Sequence, residues 1–69
     1  MIMHKEVDSS AINSASYNTQ DGTLTIEFKR GAKYDYPNVP SEHYNGLIHA
    51  QSVGQYFNQH IKQYAVKKV

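Results

Sequence analysis

The clearest pattern along the chain is a strict alternation between residues 23 and 29. Leu24, Ile26 and Phe28 alternate with Thr23, Thr25, Glu27 and Lys29. A period of two with one apolar side predicts a strand covered on one face only. Arg30-Gly31 is a turn signal, and Ala32–Tyr36 resumes the alternation, with Tyr34 and Tyr36 opposite Lys33 and Asp35. Pro37 cannot donate to a ladder and ends that strand. Upstream, Ile12, Ala15 and Tyr17 stand among small polar residues at a spacing that is not strictly two. That predicts a strand within Ser9–Tyr17 carrying a bulge or a late start. Asn18–Gly22 is the turn between them, and Asp21-Gly22 supplies the positive φ a hairpin connection needs. Three strands joined by tight turns predict an antiparallel meander.

The period then becomes helical. Pro40 and Ser41 open a helix, with Ser41 as the expected N-cap and Glu42 near the positive end of the dipole. Tyr44, Leu47 and Ile48 make one buried stripe. Gly46 weakens such a helix by about 1 kcal/mol relative to Ala, which suggests that something packs closely there. Ser52, with Gln55 three residues on, is a capping-box start for a second helix. Val53, Tyr56, Phe57, His60, Ile61 and Tyr64 follow at helical spacing. The expected fold is α+β: a three-stranded antiparallel meander followed by two helices on one face, β-β-β-α-α. Residues 1–8 show no clear period and are expected to be a frayed lead-in. Residues 9–64 form the domain, and residues 65–69, with Lys67 and Lys68, are expected to fray.

At 69 residues the chain is long enough for one domain. A domain of about 60 residues buries only about 60% of its unfolded surface, so the core must be small. Six Tyr, two Phe and no Trp make that core aromatic, with phenol tips at its edge. There is no cysteine, which rules out disulfide staples and thiolate zinc sites and suits a reducing compartment. No apolar run reaches signal-peptide or membrane-spanning length, so a cytoplasmic protein is expected. The net charge of +1 lacks the strong excess of many nucleic-acid binders, so attraction to phosphate must come from local clustering.

Candidate chemistry is sparse. There is no nucleophile elbow and no phosphate-cradling glycine loop, and the six carboxylates are scattered among polar neighbours. No enzyme and no cofactor is expected. His4, His43, His49 and His60 form no i, i+4 pair, so no metal site is expected, and His60 reads as a core-edge residue. Tyr34 and Tyr36 admit two readings: base-stacking aromatics, or rings buried under the helices with hydroxyls at the rim. The neighbouring alternation favours burial. Ser52 and Gly54 form either a helix-start anion site or a plain cap with Gly54 packed tightly, and the second is favoured. Lys29, Arg30 and Lys33 cluster at the second hairpin, and Lys62, Lys67 and Lys68 near the end. If the two groups lie on one side, they make a modest phosphate-binding patch; ordinary surface charge is the simpler account.

In order and spacing, these residues resemble the KTSC domain family. The match runs from Ser9-Ser10 through Tyr17, Thr23-Leu24, Phe28, Gly31, Tyr34-Asp35-Tyr36 and Val39-Pro40. It continues with Ala50-Gln51-Ser52-Val53-Gly54, Tyr56-Phe57-Asn58, Ile61 and Tyr64. The family occurs alone in bacterial and phage proteins and at the C-terminus of some lysyl-tRNA synthetases. The resemblance implies a small binding module without catalytic residues, and its synthetase context implies RNA as the partner. Val53 follows Ser52 where relatives often carry a basic residue, which implies weaker RNA binding here. The alternative is a module for a protein, a small ligand or a second copy of itself. The candidate binding residues are Arg30, Lys33, Tyr34, Tyr36, Ser52, Gly54 and Lys62.

Overall fold

Alternation places side chains on two sheet faces, and the computed structural model shows how each face is used. It describes residues 1–64 together with 67 and 68. The strands are β1 (Ile2–Glu6), β2 (Ile12–Asn18), β3 (Thr23–Phe28), β4 (Lys33–Tyr36) and the two-residue β5 (Lys67–Lys68). They pair in chain order, each antiparallel to the next. Between β4 and β5 lie α1 (Ser41–His49) and α2 (Val53–Tyr56), which runs on into a π-helical turn, Phe57–Ile61.

Two expectations about the sheet change. The lead-in expected to fray contains β1, so the sheet has more than three strands. β1 is an edge strand, and its inward positions are Met3 and Lys5, so it shows no apolar alternation to read. At the other end, Lys67–Lys68 pair with β4, while residues 65, 66 and 69 of the expected frayed tail lie outside the described residues.

The register aligns one row of core side chains, Met3, Tyr17, Leu24 and Tyr36, and a second containing Ala15, Ile26 and Tyr34. The expected bulge lies between Ile12 and Ser14, where the register shifts. The extra residue resets the parity, so Ile12 and Ala15 both point inward although three positions apart. Both turns use glycine where it is needed: Gly22 has φ 73° and Gly31 φ 98°.

Pro40 is the N-cap of α1 and Ser41 its first helical residue, with no side chain capping the start. The Ser41 cap is thus corrected by one position, because the fixed φ of proline already holds the chain at the helix entrance. Tyr44 and Leu47 are buried and Ile48 half-buried. The Tyr17 hydroxyl donates to the Val39 carbonyl at 2.6 Å, and its ring stacks on Tyr44 at 5.7 Å, which ties α1 to the sheet. Ser52 caps α2 as expected, its hydroxyl accepting from Gln55 N–H at 3.4 Å.

The last helix buries Val53, Phe57 and Ile61, each four residues apart. An α-helix overshoots one full turn in four residues, so this stripe would drift off the core. The π turn, closed by Lys62 N–H to the Phe57 carbonyl at 2.9 Å, advances less per residue and keeps Phe57 and Ile61 aligned. A second stripe, Tyr56, His60 and Tyr64, faces α1, where all three rings pack around His43.

Candidate functional site

A concavity of about 410 Å³ opens between the β3–β4 hairpin and the last helix. Its lining is Phe28, Arg30, Tyr34, Tyr36, Phe57 and Lys62. Strand parity brings Tyr34 and Tyr36 to the helix-covered face, and the π turn brings Phe57 against Tyr36. The Phe28 ring meets Tyr34 and Phe57 edge-on, each at 5.6 Å, and Tyr36 meets Phe57 in the same way. Tyr36 and Phe57 are only 5% and 8% exposed and form the floor. Phe28 and Tyr34 are half-buried and form the accessible walls. Burial raises the Tyr36 pKa above 10.0, and the neighbouring Tyr34 raises it further, so the phenol stays protonated well into alkaline conditions.

Two cations stand at the rim. The Arg30 guanidinium lies 5.5 Å over the Phe28 ring and donates to the Tyr34 hydroxyl at 3.3 Å. Lys62 approaches from the last helix. Among the described residues, no carboxylate belongs to the lining. In chemical terms the arrangement suits a flat or apolar group together with negative charge.

The structure therefore brings together four of the seven candidates: Arg30, Tyr34, Tyr36 and Lys62. Lys33 is not among them. It pairs with Glu27 across the opposite sheet face, as its parity requires. Ser52 and Gly54 also lie outside the concavity. The tight packing expected at Gly54 is absent, because an added Cβ would meet only Ser9 Oγ, at 3.9 Å. The close contact is at Gly46 instead, where an added Cβ would overlap the Tyr56 phenol. Phe28, a wall, and Phe57, part of the floor, line the concavity although their spacing marks them only as core positions. The signal was Phe28 at the very end of its strand, beside Arg30.

Two other surfaces hold polar groups. On the open sheet face, Ser16, Asn18, Thr23, Thr25, Asp21 and Asp35 line a shallow hollow; Thr25 donates to Asp35 at 2.6 Å. Nearby, His4 Nδ1 and Ser16 Oγ are 2.7 Å apart. Ser16 belongs to a strand paired on both sides, so its backbone amide serves the sheet rather than a developing oxyanion. Between the helices, His43 and His60 stack at 5.8 Å, and His43 Nδ1 is buried without a partner among the described residues. Among the described residues no group of three or more His, Asp or Glu is placed to hold a metal ion. No helix among them is long and apolar enough to cross a membrane.

The comparison with family models decides the relationship: residues 8–64 match the KTSC domain. The chain belongs to the KTSC domain family. It is similar to the crystal structure of a KTSC domain protein from Yersinia pestis, with a TM-score of 0.90 and 30% identity, covering 100% of this chain and 99% of that one. An uncharacterized protein of Stutzerimonas stutzeri is 39% identical over 56 residues, 81% of this chain and 79% of its own length. A lysine–tRNA ligase of Nostoc punctiforme is 44% identical over 55 residues, 80% of this chain. This KTSC chain spans only 10% of that ligase.

Proposed function

We propose that this KTSC domain is a non-enzymatic cytoplasmic binding module that takes single-stranded RNA in the aromatic concavity. One observation carries the reading. Arg30 and Lys62, from distant parts of the chain, meet at the rim of half-buried aromatic rings, with no carboxylate there among the described residues. Phosphate supplies the negative charge such a rim favours, and unpaired bases supply flat faces. The match to a lysine–tRNA ligase, an enzyme named for a tRNA substrate, supports the same class of partner. The paired backbone around Ser16 and the scattered carboxylates support a binding rather than a catalytic role.

The test is fluorescence anisotropy with a labelled single-stranded oligoribonucleotide over a salt series. Arg30→Gln and Lys62→Gln each weaken binding and flatten the salt slope by about 0.7, the share of one single-strand phosphate contact. Lys33→Gln, on the other face, leaves both unchanged. Absence of binding at low salt overturns the reading.

A second reading has its own support. Met1 and Ile2 are 77% and 67% exposed beside the edge strand β1, whose outer backbone groups have no partner strand among the described residues. That edge favours self-association. Sedimentation across a concentration series, with Ile2→Lys as the disrupting variant, tests it. A monomer at every concentration removes that alternative.

A further inference from the structure

Resting on the RNA reading above, we infer that the concavity accepts one unpaired nucleobase at a time, inserted against Tyr34 and Phe28, while phosphates of the same strand rest on Arg30 and Lys62. A multi-base stacking platform is a different arrangement, and the fold leaves no room for one. The inner sheet face is covered by the helices. The register puts Ile2, His4, Glu6, Ser14, Ser16, Asn18, Thr23, Thr25, Glu27, Lys33 and Asp35 on the outer face, with no Phe or Tyr. Its hydroxyls and carboxylates suit neither bases nor phosphates.

The eight Phe and Tyr rings divide sharply. Tyr17, Tyr36, Tyr44 and Phe57 are buried. Tyr56 and Tyr64 pack around His43 between the helices. Among the described residues, only Phe28 and Tyr34 are both partly accessible and flanked by cations. Two adjoining walls in about 410 Å³ make a slot for one planar group. The floor of Tyr36 and Phe57 is apolar, so an inserted ring leaves water behind on both its edge and its face. Arg30 is already held by Phe28 and Tyr34, so little freedom is lost when it meets a phosphate. The contact is made by stacking on ring faces, which every base has, so insertion is tolerant of base identity.

An abasic oligonucleotide keeps every phosphate and removes every base, which separates the two claims. The probe is a short uridine oligoribonucleotide, compared with its fully abasic counterpart and with an abasic strand holding one uridine. Loss of all bases is expected to lower affinity on the order of tenfold, the scale of one stacking contact. A single uridine restores most of that loss. Tyr34→Leu removes the difference between the strands, whereas Tyr34→Phe, which keeps the ring, preserves it. A thermal melt of each variant checks folding; should Tyr34→Leu fail to fold, the abasic series on the wild type still decides. Equal affinity for the based and abasic strands, both dependent on Arg30 and Lys62, overturns base insertion and leaves the RNA reading standing. A steady gain with every added base overturns the single-base slot. No binding of any strand overturns the RNA reading itself.

Discussion

Two aromatic clusters flank the last helix, and they differ in what surrounds them. On the sheet side, Phe28, Tyr34, Tyr36 and Phe57 pack edge-on beneath Arg30 and Lys62, with Phe28 and Tyr34 partly open to solvent. On the α1 side, Tyr56, His60 and Tyr64 close around His43, and Tyr56 reaches so near Gly46 that no side chain fits between. Both clusters stand at the edge of the core and both draw on a four-residue stripe. Among the described residues, only the first combines accessible rings with flanking positive charge. Partial burial of aromatics therefore does not by itself distinguish a candidate site in a domain this small; the company of cations does.

The sharpest way to break the comparison is Phe57→Ala. Phe57 is floor of the concavity and part of the core at once, touching Phe28 and Tyr36. Its loss is expected to cost about 3–5 kcal/mol and leave the chain largely unfolded. A cooperative melt within a few degrees of wild type would separate concavity from core.

Gly46→Ala probes the other cluster. The added methyl overlaps the Tyr56 ring, which must leave its place against His43 and His60. Overpacking of this kind costs about 1–3 kcal/mol. The melting temperature should fall while the proposed RNA binding, measured below the transition, is unaffected. A matching loss of affinity would show that the two clusters act as one.

Gly54→Ala belongs to neither cluster and sharpens the contrast with Gly46. Its would-be methyl has space, so the helix preference for Ala acts alone. The expected result is a gain of up to about 1 kcal/mol in denaturant unfolding. Destabilisation would mean that α2 packs more tightly than its neighbours indicate.

The smallest effect concerns alkaline pH. Burial raises the pKa of Tyr36, and also of Tyr44, above the ordinary 10.0. The folded chain then holds these protons more tightly than the unfolded chain. Stability from this source is complete below pH 10.0 and declines as pH rises past it toward the raised folded values. Tyr36→Phe should flatten part of that decline in melts between neutral and strongly alkaline buffer. An unchanged slope would place the Tyr36 phenol in solvent, outside the floor of the concavity.

Much of this was legible in the chain itself. Local physics fixes where Leu24, Ile26 and Phe28 point, because strand parity is a property of consecutive residues. The same holds for the turns at Gly22 and Gly31, the cap at Ser52 and the irregular step between Ile12 and Ala15. The crowding at Gly46 was signalled by a residue that a free helix surface would not choose. Other features depend on contacts distant in sequence. β1 is a strand because β2 pairs with it, not because Met3-His4-Lys5 alternates in polarity. Gly54 is loose and Gly46 tight, although both are helical glycines, because only one faces a neighbouring ring. Parity alone separates Lys33 from Tyr34, yet nothing local says that Arg30 and Lys62 share a rim. That meeting is decided by the π turn and by how the last helix lies across the sheet, since a charge acts at a site through distance in space and not through place in the sequence.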